Sequence, residues 1–107
     1  MTPDTDETPV LFRAERTKEL EVTAVFPTLA SDNHGHSMQC YAHIGQHSGC
    51  SFDWYNGTRA AKPEEYAALK RELEAAPYGY RLKVYSRMQR QRFADIRRQS
   101  VRIRPVD

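Results

Sequence analysis

Between His34 and Cys50 the chain reads HGHSMQCYAHIGQHSGC, and the eight residues from Ser37 to Ile44 inside it decide the fold. Met38, Cys40, Ala42 and Ile44 recur at period two, with Ser37, Gln39, Tyr41 and His43 between them. Successive strand side chains point to opposite faces, so this alternation predicts a strand with the first set buried and the second facing solvent or a partner. Gly45 and Gly49 bracket Gln46-His47-Ser48, which predicts a turn after the strand. Ser31-Asp32-Asn33-His34-Gly35 is turn chemistry on the approach side.

Working outward, Val10-Leu11-Phe12-Arg13 is a short apolar run that suits an edge strand. Leu20, Val22, Ala24 and Phe26 alternate as the inward set of a second strand, with Pro27 closing it by removing a donor. The two runs are expected to pair as a hairpin. Cys50, Phe52 and Trp54 alternate in the same way, which predicts a fourth strand over 50–55 before the tight turn at Asn56-Gly57. Lys62-Pro63-Glu64-Glu65 opens a helix, because proline fits the first turn and acids there suit the helix dipole. Tyr66, Leu69, Leu73 and Ala76 form its apolar stripe, and Pro77 and Gly79 end it. Tyr80, Leu82 and Val84 alternate as a further strand. Met88, Phe93 and Ile96 then mark a thin stripe in an arginine-rich helix reaching about Gln99.

The expected architecture is α+β: one small domain with an antiparallel sheet of four or five strands and Tyr66–Ala76 packed on one face. Its other face would stay open, carry Tyr41 and His43, and serve as a binding surface. Residues 1–9 read as a disordered acidic tail, 10–87 as the α+β domain and 88–107 as a basic C-terminal helix or tail.

The 107 residues suffice for one modest core, and 39% hydrophobic with 28% charged residues fits a folded chain rather than a disordered one. No apolar run approaches a membrane span, and MTPDTDETP lacks the hydrophobic segment of a signal peptide. A cytoplasmic location with reduced thiols and no membrane contact is the expectation. Charge is divided unevenly. Residues 1–80 hold 7 Lys/Arg against 12 Asp/Glu, while residues 81–107 hold 9 against 2. The last quarter is thus a cationic element on a mildly acidic body.

All four histidines and both cysteines of the chain fall between His34 and Cys50. Imidazole and thiolate are the ligands zinc prefers, so His34, His36, His43, His47, Cys40 and Cys50 are the metal candidates. Their spacing matches no standard zinc pattern, and a strand over 37–44 would point Cys40 and His43 to opposite faces. A histidine-activated Cys40 or Cys50 nucleophile is a second reading, without a third orienting group in view. A Cys40–Cys50 disulfide would need an oxidising compartment. The plain alternative is a buried structural Cys40 with histidines gathered on a surface loop. At the other end, Arg90, Arg92, Arg97 and Arg98 crowd the polar face of the basic helix. Guanidinium groups suit phosphate contacts, though a solvated helix would look the same.

The segments VLFRAE, TAVFPTL, CYAHIGQHSG, KPEEYAALKRELE and YGYRLKVYSR, in that order, resemble a group of small uncharacterised proteins encoded by bacteria and phages. The recurring run of that group falls here on Cys40, Tyr41, His43, Gly45, Gln46 and His47, and the likeness spans roughly residues 10–87. It leaves His34, His36 and Cys50 outside the shared run. The resemblance implies a phage or mobile-element accessory role and brings no activity with it. The function expected is therefore a non-enzymatic binding module without a cofactor, contacting a host protein or nucleic acid through the basic C-terminal segment. Tyr41, His43, Gln46 and His47 would supply further contacts. A zinc-binding or Cys/His-dependent enzyme centred on residues 34–50 is the alternative.

Overall fold

The computed structural model describes residues 7–16, 21–32, 35–42, 47–76 and 78–103. Its core is a pair of long strands, β1 (Thr8–Glu15) and β2 (Val22–Ala30), joined antiparallel with Leu11 opposite Val25 and Phe12 opposite Ala24. This is the expected hairpin, with β1 longer at both ends and β2 running on past Phe26 to Ala30. Thr8 and Pro9 belong to β1, which corrects the end of the acidic tail; Glu7 precedes the strand, and residues 1–6 lie outside the described residues.

β3 (Met38–Tyr41) pairs with β2, and β4 (His47–Cys50) pairs with β3, both antiparallel. Pro27 does not end β2. The pairing with β3 shifts register between Phe26 and Ala30, and an irregularity of this kind is where a strand tolerates proline. The expected turn at 46–48 is corrected at His47 and Ser48, which begin β4.

The expected strand over 50–55 is also corrected. Ser51 caps a short helix, α1 (Phe52–Asn56), its Oγ accepting from the Trp54 backbone N–H at 3.2 Å. A capping hydroxyl satisfies one of the orphan amides of the first turn, and Asp53 favours the same end of the dipole. Gly57 closes the helix, and β5 (Thr58–Ala60) follows.

The second helix, α2 (Pro63–Glu74), begins where Lys62-Pro63 predicts. Glu65 Oε1 reaches back to accept from the Lys62 backbone N–H at 2.8 Å. β6 (Leu82–Tyr85) and α3 (Arg90–Ile103) complete the described chain. Strand order is β4-β3-β2-β1-β5, with β6 parallel to the first half of β1 while β5 lies antiparallel to its last residues.

The class is α+β, but the helices cover both faces of the sheet. Leu69 and Leu73 of α2 pack on Val10, Phe12, Ala24, Phe26 and Tyr41. On the opposite face Phe93 of α3, with Tyr55 of α1, packs on Leu11, Val25, Met38, Cys40 and Cys50. β2 is therefore buried without a break from Thr23 to Thr28, as expected of a strand covered on both sides. The open binding face expected around Tyr41 is not there. Tyr41 is fully buried, because α2 lies over the side of β3 from which it projects. Further side chains reverse their expected places, since Ala42, Ala76, Val84 and Ile96 are all exposed.

Candidate functional site

α3 meets the sheet through Phe93, Ala94 and Arg97, spaced to share one side of the helix. Arg97 is 2% exposed, which corrects its expected place on the cationic surface. Its Nε donates to the Gly35 carbonyl at 2.8 Å and its Nη1 to the Pro27 carbonyl at 2.5 Å. Burial pushes its pKa down from the usual arginine value, and Arg98 adds to the effect, while Asp32 opposes it. Arginine remains charged through such a shift.

One side chain thus joins three segments. The Pro27 carbonyl comes from the irregular end of β2, and Gly35 from the turn leading into β3. That turn is closed by a hydrogen bond between the Ser31 and Ser37 hydroxyls and by Asp32 Oδ1 accepting from the His36 backbone N–H at 3.0 Å. Gly35 sits at φ +75°, and a Cβ there would come within 3.2 Å of Arg98 Cγ, so glycine suits both the backbone and the close approach of α3. The Phe52 ring lies beneath both Arg97 and Arg90, at 5.5 Å and 4.9 Å from the guanidinium carbons.

With Arg97 turned inward, the exposed arginines among those expected are Arg90, Arg92 and Arg98. Arg90 donates to the Asn56 side-chain carbonyl at 3.3 Å and Arg92 to that of Gln89 at 3.2 Å. Both partners are neutral amides, so neither charge is cancelled by its hydrogen bond.

The second chemically distinct feature lies on the same sheet face, across the β3–β4 hairpin. Met38 stands opposite Cys50 and Cys40 opposite Ser48, which sets the two cysteines diagonally on neighbouring strands. Both are reduced, at 6% and 7% exposure. Beside them opens a cleft of about 450 Å³ lined by Cys40, Cys50, Ser48, Ser51, Trp54 and Glu15, among others. Cys40 Sγ and Ser48 Oγ share a hydrogen bond at 3.3 Å. Donation from the Cys50 thiol holds the Cys40 pKa below that of an ordinary thiol, against the opposing effect of burial, with Ser48 adding to the lowering. Cys50 moves the other way, because it is the donor in that pair and is itself desolvated. The pair therefore loses its first proton readily and holds its second.

Of the metal candidates, Cys40 and Cys50 share this wall, and His36 lies in the exposed turn before β3. His34, His43 and Gln46, with the side chain of His47, lie outside the described residues. Among the described residues no three histidine, cysteine or acidic side chains converge to hold a metal ion. Among the described residues the groups that lower the Cys40 pKa are a thiol and a hydroxyl, while the side chains of His43 and His47 lie outside them. Ser48 and the cleft are missed by sequence reasoning. The signal that finds them is a hairpin centred beyond Ala42, which sets Ser48 opposite Cys40. Tyr41 is used internally, its hydroxyl donating to Glu72 of α2 and lying 3.4 Å from the Tyr78 hydroxyl. No helix among the described residues is long and apolar enough to cross a membrane. The chain matches no known protein family, no curated protein and no solved structure.

Proposed function

We propose that this chain is a non-enzymatic binding module of phage or mobile-element type, and that its partner is nucleic acid, held through the exposed arginines of α3. One observation carries the reading: Arg90, Arg92 and Arg98 project from a helix fixed to the sheet by Phe93 and Arg97. A rigid support lowers the entropic cost of ordering cationic side chains on a partner. Arg90 and Arg92 hydrogen-bond to neutral amides and so keep their charge for phosphate oxygens, which guanidinium groups can grip bidentately. Phosphate contacts of this type position a protein on nucleic acid without reading its sequence. A host protein with an acidic surface is the competing partner.

Fluorescence anisotropy with labelled single- and double-stranded oligonucleotides tests the reading across a salt series. Wild type should bind both with affinity that falls as salt rises. Replacing Arg90, Arg92 and Arg98 together by alanine should flatten the double-strand log–log salt slope by about 2–3, since each phosphate contact contributes about 0.9. Absence of binding at low salt, or an unchanged slope in the triple variant, overturns the nucleic-acid reading.

A further inference from the structure

The binding surface on α3 makes no use of the thiols, yet these are the most reactive groups the described residues bring together. The geometry points to Cys40 and Cys50 as a thiol–disulfide exchange site, with Cys40 the attacking sulfur and Cys50 the resolving one. The cleft beside them would admit a low-molecular-weight disulfide.

Three independent features support the assignment. First, register places both sulfurs on one face of adjacent strands, in the same apolar cluster. Cysteines buried merely as small hydrophobes need no such pairing. Second, the cleft wall is built around them. Its volume of about 450 Å³ lies within the range of small-molecule sites, and it joins an indole surface at Trp54 to hydroxyls at Ser48 and Ser51 and a carboxylate at Glu15. That combination of one apolar wall and several hydrogen-bonding groups suits a short thiol-bearing peptide better than a purely apolar ligand. Third, the resolving residue ends β4, a four-residue strand at the edge of the sheet. A short edge strand can shift to bring a diagonal pair to bonding distance more readily than a strand held on both sides.

Roles within the pair follow from their hydrogen bonds. Ser48 Oγ lies 3.3 Å from Cys40 Sγ and can donate to it as a thiolate, and the Cys50 thiol beside it lowers the Cys40 pKa in the same direction, so Cys40 is the sulfur favoured to carry negative charge. The thiolate is the nucleophile in exchange. It attacks one sulfur of the small disulfide, whose S–S bond breaks, and the first small thiolate leaves and takes a proton from water. Cys40 then bears a mixed disulfide. Relieved of its negative neighbour, Cys50 gives up its proton to solvent and attacks the Cys40 sulfur, expelling the second small thiolate. Two protein thiols are oxidised to one disulfide, and one small disulfide is reduced to two thiols.

Glutathione disulfide is the probe, applied to the reduced full chain at neutral pH and followed by intact mass. Wild type should end two hydrogens lighter, with no glutathione retained. Cys50→Ser should stop with one glutathione on Cys40, located by peptide mapping. Cys40→Ser should take up glutathione at least ten-fold more slowly than wild type. The alkylation rate of Cys40 in wild type gives a second readout that needs no variant to fold. It should be half-maximal well below an ordinary thiol near 9. The assignment is overturned if wild type accumulates a stable mixed disulfide or does not react. It is equally overturned if Cys40→Ser reacts as fast as wild type, or if Cys40 alkylates with an ordinary thiol profile.

Discussion

The two faces of the sheet are covered in different ways. Beneath α2 the contacts are aromatic and aliphatic: Phe12 stacks on Tyr66 at 4.3 Å, Phe26 on Tyr80 at 5.1 Å, and Leu69 and Leu73 fill the space between helix and strands. The opposite face is held by Phe93 of α3 and Tyr55 of α1, and places beside them a buried guanidinium, two thiols and an open cleft. Stability and chemistry are thus separated by the thickness of a strand. The α2 face conforms to the rule that cores are apolar and closely packed. The α3 face departs from it at Arg97 and at the cysteines, and such departures mark the places where a fold holds something other than itself.

The sharpest way to break that contrast is to empty each face in turn. Phe93→Ala should cost about 3–5 kcal/mol and Leu73→Ala about 2–5 kcal/mol in urea unfolding, with the larger loss at the larger, fully buried ring. If Phe93→Ala is nearly silent, α3 is not docked as described. A smaller effect is expected from Arg97→Met, which keeps volume but leaves the Pro27 and Gly35 carbonyls without their donor. An acceptor stripped of its partner costs about 1–3 kcal/mol, whereas Leu69→Met on the other face should stay under about 1.5 kcal/mol. A stabilised Arg97→Met would show instead that desolvating the charge outweighs its hydrogen bonds, as happens at some buried ion pairs.

The smallest effect belongs to the start of α2. Glu65 accepts from Arg59 through both oxygens at 2.9 Å and from the Lys62 amide, and these donors hold its pKa at about 2, below the ordinary 4.5. The lowered value means that the folded state favours the ionised form. Its contribution is complete above about pH 4.5 and is lost as pH falls toward 2. Glu65→Gln should remove that part of the acid dependence in thermal melts taken between those values, and leave the melts at neutral pH shifted only slightly. An acid profile that does not change would mean the pair is too well solvated to matter.

The elements legible in the sequence are those whose signals are local. Lys62-Pro63 with two acids announces α2 because caps and dipole act within a turn, and the β1–β2 hairpin follows from two alternating runs close in the chain. α1 was obscured because Cys50, Phe52 and Trp54 also fit period two. A short apolar run does not separate strand from helix, and only the cap at Ser51 decides it. β4 was obscured because His-Ser-Gly-Cys contains no residue with strong strand preference and its partner supplies the order. Arg97 could not be told from Arg92 or Arg98 by composition. Burial depends on a pair of carbonyls, those of Pro27 and Gly35, far away in the chain. For the same reason Ile96 looked like the inward residue. The candidate site was half legible: the cysteines stood out, but the hydroxyl and the cleft arise only from strand pairing.

The parallel pairing of Thr8–Leu11 with Leu82–Tyr85 has a consequence for how the molecule is made. The β1–β2 hairpin can close early, since its halves are neighbours in the chain. The outer edge of β1 cannot be completed until β6 has been synthesised, and non-local pairings are the slow steps of folding. Until then the first half of the strand presents bare amides and carbonyls beside Val10 and Leu11, an edge that another chain can pair with. Refolding yield should therefore fall with protein concentration, and a chain stopped short of Leu82 should aggregate although every residue of its central hairpin is present.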